Sequence, residues 1–314
     1  MATNVLLTID TELRWAGGVA PGAWETLFER SYNPAGVGIP YQLTKLAEHG
    51  LRAVFFVDPM PALWFGIDPI KRMVAPILEA GQSIELHLHP QWATLRNGAP
   101  SGSFELIDYD EDRQRAFLER GRALLIEAGA PPPTAFRAGS YSANDATLRA
   151  AASLGLRYDS SHNGAEYPWP SAVSLPVTAI APVLHEGMIE IPVTVIDDRA
   201  GPRHFQICAV SLGEMRAALL HAVRHDHPVV TIVGHSFELA TRSGRSVNRI
   251  HRRRFDLLCV FLANHREQMP TRTFAELEDL RLGASVYPLP NSRLRTYRRL
   301  AEQLWSNLIE ERRG

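Results

Sequence analysis

The chain has 314 residues, 45% of them hydrophobic and 21% charged, and a net charge of −1. Those proportions are those of an ordinary globular protein, and the near-neutral charge argues against a general polyanion binder, nucleic acid included. Two cysteines, Cys208 and Cys259, are too few for a disulfide framework or a CxxC metal site.

The start, MATNVLLTIDTEL, has no basic segment followed by a long apolar run. No run anywhere approaches the ~20 apolar residues of a membrane span, so a cytoplasmic protein without a transmembrane segment is expected. NVLLTID reads as a strand, and a helix near IPYQLTKLAEHG ends at Gly50. LRAVFFVD is the next strand, DPIKRMVAPILEAG a helix, and SIELHLH a strand. A helix follows near DEDRQRAFLERGRALLIEAG, with Gly129 as its C-terminal cap. TAFRAG and LRYDSS are short strands around the helix NDATLRAAASLG.

From Tyr167 to Thr194 the rhythm breaks into short apolar pieces punctuated by proline, which predicts small strands or an excursion. Helix SLGEMRAALLHAVRHD then opens with Ser211 and Glu214 spaced as a capping box. The strand PVVTIVGH, a helix around NRIHRRRFDLLCVFLANHRE and a last strand near PTRTF complete the series. Alternating strands and helices predict a parallel sheet covered by helices. About seven such repeats suit a closed or nearly closed barrel, with an open doubly wound sheet as the alternative. Residues 1–284 are assigned to this single α/β domain and 285–314 to a helical tail. In the tail Leu294, Tyr297, Leu300, Leu304 and Leu308 fall at helical spacing. Such a helix ordinarily packs on its own domain. Membrane contact or dimerisation is the alternative, and homo-oligomerisation stays open.

His87 and His89 are one residue apart on a strand, so both imidazoles face the same way. Other strands also end in polar residues: Asp10-Thr-Glu12, Arg137-Ala-Gly139, Asp159-Ser-Ser161 and Gly234-His235-Ser236. In a parallel barrel these ends open on one face, where such folds put their chemistry. Each has a bland reading as well: a satisfied histidine pair, an acidic turn, an ordinary ion pair. Together, carboxylates and imidazoles suit a divalent ion, Zn²⁺ first, then Co²⁺, Ni²⁺ or Mn²⁺. Such an ion activates water at neutral pH. A carboxylate off the metal can take the water's proton and an opposed histidine can protonate the leaving group. Metal-assisted hydrolysis is the simplest reaction using the whole set.

The ordered series TIDTE, GQSIELHLHP, FRAGSYSAN, YDSS and IVGHSFEL, from Val5 to about Leu280, resembles the polysaccharide deacetylase (NodB-homology) family. The resemblance implies a distorted (β/α)7 barrel and metal-dependent hydrolysis of N-acetyl or related N-acyl groups, usually on sugars. It implies Asp10 as general base, Arg137 as the residue orienting it, and His235 as general acid. It implies a backbone N–H in Gly139-Ser140-Tyr141 at the oxyanion, with Glu12, His87 and His89 on the metal. The family writes two adjacent aspartates, TFDD, and spaces its histidines four apart. Here the position four beyond His87 is Gln91 and the position four before His89 is Glu85, so both stand as outer ligand candidates. Trp92 could line a sugar subsite, and Asp159 either contacts substrate or anchors a turn.

Three other functions fit parts of the chain. VTIVGHSFEL imitates a GxSxG nucleophile elbow at Ser236, with Glu238 replacing the last glycine and His251 or His265 downstream. A cyclic amide or imide hydrolase and a non-catalytic glycan-binding relative suit the same architecture. RSGRSVNRIHRRR, Arg242 to Arg254, contains no acid. It reads as a solvated helix face, or as an arginine cluster for phosphate or uronate on an anionic glycan or a lipid-phosphate-linked sugar. The substrate expected overall is a carbohydrate or N-acylated small molecule, with an anionic one allowed.

Overall fold

A computed structural model describes residues 2–14, 24–96, 98–277 and 279–313. Apart from a two-residue antiparallel pair, Leu95–Arg96 with Ala99–Pro100, its strands are β1 (Asn4–Thr11), β2 (Val54–Val57), β3 (Ser83–Leu88), β4 (Ala135–Ala138), β5 (Tyr158–Asp159), β6 (Val183–His185), β7 (Met188–Glu190), β8 (Val195–Asp198), β9 (Gly201–His204) and β10 (Val229–His235). Among the described residues eight of these make one sheet, in the order β10-β1-β2-β3-β4-β5-β7-β6. All neighbours are parallel except the β6–β7 hairpin. That hairpin is what the proline-punctuated segment becomes.

Side chains alternate across the sheet and sort into two cores. Val5, Leu7, Ile9, Phe55 and Val57 point outward into the large cluster under the helices. Leu6, Val54, Phe56, Ala135, Tyr158 and Val229 form a second cluster with Phe274 and Leu277. Asp10 shares the alternation of Leu6, and Arg137 that of Ala135, so both polar residues continue the inner face upward.

The regular sheet does not close by itself. The chain between β7 and the helix Leu212–Arg224 bridges the gap beside β10. Thr194 N–H donates to Thr231 O (3.3 Å), Ile207 N–H to Val233 O (3.0 Å), and Val233 N–H to Phe205 O (2.9 Å). Distortion of the expected (β/α)7 barrel therefore lies in this irregular stave. The expected strand PTRTF is instead a single bridge, Val5 to Thr271, followed by the short turn Phe274–Glu276. Phe274 turns in against Phe56 and Tyr158, with ring centroids 5.7 and 5.3 Å away, and so serves the core rather than the sheet.

Local signals hold where they were specific. Gly50 caps its helix in the left-handed conformation, and Ser211 and Glu214 form the reciprocal box. The tail departs from expectation. Its helix, Arg293–Trp305, docks through its polar side: Arg299 is buried and bonds Glu214 (3.1 Å) and Asp198 (2.5 Å), while Glu302 meets Arg254 (2.8 Å). The leucine positions face outward. Arg254, expected on a solvated face, is thereby buried. No described helix is long and apolar enough to cross a membrane.

Glu85 is not near enough to serve as a metal ligand. It clamps β3 to the start of β4, accepting from Thr134 N (2.7 Å), Thr134 Oγ1 (3.2 Å) and Ala135 N (2.8 Å). Burial pushes its carboxyl up to about 7. Glu85→Ala should lower stability by about 2 kcal/mol or more, because buried donors lose their acceptor. Urea unfolding measures this, and metal content should be unchanged in the same variant.

Candidate active site

The site is built around Arg137. Its side chain is fully buried, and an unpaired guanidinium there would be prohibitive. Nη1 donates to Asp10 Oδ1 and to Thr8 Oγ1, both at 2.7 Å. Nε donates to Ser160 O and Nη2 to Ser160 Oγ, both at 3.0 Å. The guanidinium also lies 4.4 Å above the Phe56 ring. Asp10 is thus held through Oδ1, and no described residue engages its Oδ2.

Arg137 and His87 are paired in the β3–β4 register, and the backbone of one orients the other. His87 Nδ1–H donates to Arg137 O at 2.8 Å, which turns Nε2 toward Glu12. That nitrogen lies 3.7 Å from Glu12 Oε2, and His89 Nε2 contacts the same oxygen. The three donor atoms lie within 4.8 Å of one another. Gly139 makes room for this arrangement, since a Cβ there would sit 2.4 Å from His89 ring atoms. The next two residues, Ser140 and Tyr141, both take left-handed φ values of 55° and 58°. Such strain in non-glycine residues persists where the surroundings enforce it.

Asp58 belongs to this group and was missed. It follows β2 directly, and its predecessor Val57 pairs with Thr11 on one side and Leu86 on the other. Asp58 therefore stands between Glu12 and His87 at the rim. Its Oδ1 accepts from Met60 N (2.9 Å), whereas its buried Oδ2 has no partner among the described residues. Burial pushes its carboxyl up to about 6, against the pull of His89 and His87. The signal was available: VFFVD is another strand ending in an acid.

An orphaned carboxylate oxygen beside two imidazoles is what a cation would satisfy. The donor set of Glu12, His87 and His89, with Asp58 beside it, fits a divalent transition ion. Burial opposes a charge on His89, but Glu12 overrides it and lifts the imidazole to about 9. Glu12 is buried too, yet the two histidines hold its carboxyl well below the usual range.

On the other side of Asp10 stands His235, its register partner on β10. Glu238 reaches back to this strand end. Its carboxylate accepts from His235 N (2.9 Å), Cys208 N (2.7 Å) and Gln206 Nε2 (3.2 Å), and Oε2 lies 3.8 Å from His235 Nδ1. Burial opposes both charges. Their mutual attraction wins, raising His235 to about 9 and lowering Glu238 to about 2. Glu238 had been considered only as a flaw in a nucleophile elbow. The elbow itself is excluded: Ser236 is buried and donates to Ser31 O at 3.1 Å. His251 and His265 are spent on the carbonyls of Glu238 and Phe261.

For Trp92 and Asp159 the structure favours the packing and turn-anchoring readings. Trp92 is buried edge-on against Phe65 and packs in the core. Asp159 is buried as well, accepting from Ser161 N and Ser161 Oγ at 2.9 Å, and so anchors its turn. Gln91 is buried, and its Oε1 has no partner among the described residues. Tyr141 has a buried hydroxyl without a partner among the described residues, in the field of Asp10. A cavity of about 430 Å³ adjoins His235 and Glu238, walled by Gln206, Arg14, Arg254 and Gln303.

Among solved structures, a protein named as a polysaccharide deacetylase from Mycobacterium smegmatis superposes with a TM-score of 0.51 at 22% identity, covering 88% of this chain and 95% of that one. The chain has that protein's fold. More remote in shape are a family 4 carbohydrate esterase from Streptomyces lividans in complex with acetate (TM-score 0.44, 13% identity, 91% and 98% covered) and BA3943, a CE4 family pseudoenzyme from Bacillus anthracis (0.46, 14%, 93% and 70%). No protein-family model and no curated protein matches the chain.

The His235–Glu238 pair has a defined pH window. The raised histidine contributes stability below about pH 6.5 that is lost as pH rises through about 9. The lowered glutamate contributes stability above about pH 4.5 that is lost as pH falls through about 2. Glu238→Gln should bring the His235 titration down by about one unit or more, read from its imidazole proton shifts by NMR. An unchanged titration would mean that Glu238 does not set this charge.

Proposed function

We propose that the protein is a metal-dependent hydrolase of the polysaccharide deacetylase family, removing an N-acetyl or related N-acyl group from a sugar or glycan. The observation that carries this reading is the unbroken line of contacts from Glu12 and His89 through His87 and Arg137 to Asp10, beside His235. Glu12, His87 and His89 would hold one divalent ion, zinc first among candidates. Bound there, the ion supplies Lewis acidity to the amide carbonyl and to water.

The chain's own residues do the rest. Asp10, fixed through Oδ1 by Arg137, offers Oδ2 to take a proton from the attacking water. Water oxygen adds to the carbonyl carbon, and the developing oxyanion meets backbone N–H groups of the Ser140–Tyr141 turn. His235, cationic at neutral pH, donates a proton to the nitrogen as the C–N bond breaks, releasing carboxylate and amine. Glu238 keeps that histidine charged until it is needed. The cavity beside His235 has the volume of a small-ligand site, and Arg14 and Arg242 on its wall favour an anionic substituent. The intact Asp10–Arg137 and His235–Glu238 pairs speak against a non-catalytic glycan binder.

Amine release from N-acetylated sugars and oligosaccharides by the zinc-loaded protein tests this. Asp10→Asn and His235→Ala should each lower turnover by about 10²-fold or more with bound metal retained. His87→Ala should lose the metal, as read by elemental analysis. Wild-type protein without bound metal or amine release, or turnover surviving both acid–base substitutions, would contradict the proposal.

A further inference from the structure

The helix Arg293–Trp305 and the turn that continues it are amphipathic in the inverted sense. The inner side is polar, as Arg299, Glu302, Gln303 and Ser306 bond Glu214, Asp198, Arg254, Ala209 O and Asn248. The outer side carries Leu294, Tyr297, Leu300, Leu304, Trp305 and Leu308, exposed by 79, 60, 48, 61, 56 and 44%. Leu294, Tyr297, Leu304 and Leu308, with the small exposed Ala301 between them, recur at helical spacing, so this is one continuous stripe. An exposed apolar patch of this extent marks an interaction surface.

The charges around the stripe say what covers it. Arg293 and Arg298 flank it on opposite sides, and Arg298 is 75% exposed with only a loose 3.8 Å contact to Glu302. Glu302 is the single acid between Arg293 and Leu308, and its main bond is inward to Arg254. Beside Tyr297 and Leu300 a second cavity of about 320 Å³ opens against the β8–β9 hairpin, lined by Arg199 and Arg293. Neither of these arginines has an ion-pair partner among the described residues, while Asp198 in the same cavity is already taken by Arg203 and Arg299.

We infer that this face docks the protein on an anionic lipid surface. Leucines with a tryptophan and a tyrosine enter the headgroup boundary, and the flanking arginines meet lipid phosphates. A second copy is the poorer occupant. A two-fold contact lays the same face on itself, and here it would bring arginines together with only the inward-bonded Glu302 to meet them. The helix's inner side also walls the cavity beside His235, so docking brings that cavity to the membrane surface.

Vesicle sedimentation tests the inference, using phosphatidylcholine alone against phosphatidylcholine with about 30% phosphatidylserine. The full-length protein should pellet with the anionic vesicles, less so as salt rises. Leu304→Glu combined with Trp305→Glu should reduce binding about tenfold or more while the thermal melt stays unchanged. Arg293→Glu should weaken binding to the anionic vesicles alone. No binding to anionic vesicles overturns the inference. So does a wild-type dimer in analytical ultracentrifugation that the Leu304/Trp305 double substitution dissolves, which would assign the face to a second copy.

Discussion

A buried guanidinium governs this molecule. Taking one ion out of water costs several kcal/mol even after relaxation, and Arg137 recovers that only by being fully bonded. Thr8 and Asp10 on β1, Ser160 after β5 and the ring of Phe56 on β2 all converge on it. Three strands are thereby locked at one level of the barrel. Because the Arg137 carbonyl also orients His87, Asp10 and the His87 imidazole are parts of one rigid object. Stability and chemistry here draw on the same hydrogen bonds.

Around that centre the acids are sorted by environment. Glu238 is driven down by a histidine, Asp58 is driven up by burial, and Glu12 is held low by two imidazoles. Behind Arg137, Asp159 and Glu190 are hydrogen-bonded to each other and both buried. Burial raises both, and their mutual repulsion raises Glu190 well above the carboxylate range. Both acids also lie in the field of Arg137, which pulls each of them back down.

Much of this was legible in the chain, and the illegible parts share a cause. Strand ends carry their side chains to one face by the geometry of a parallel barrel, so Asp10, His87, Arg137 and His235 could be gathered from spacing alone. Glu238 hid because its role runs backward across a turn to a residue three positions earlier. Asp58 hid because it is followed at once by Pro59 and reads as the start of a loop. Closure of the barrel by residues 193–207 has no periodic signature at all. The tail shows the limit most plainly: periodicity tells which residues share a face, not whether that face turns in or out. The partners that turn it out, Asp198 and Glu214, lie 101 and 85 residues away in the chain.

Anomalous diffraction at the zinc edge from crystals of the zinc-loaded protein would show whether Glu12, His87 and His89 close around a single cation next to the Arg137–Asp10 pair. One strong peak is expected, bounded by Glu12 Oε2 and the Nε2 atoms of His87 and His89. A peak elsewhere, or none there with those three side chains in place, would rule out that cation site.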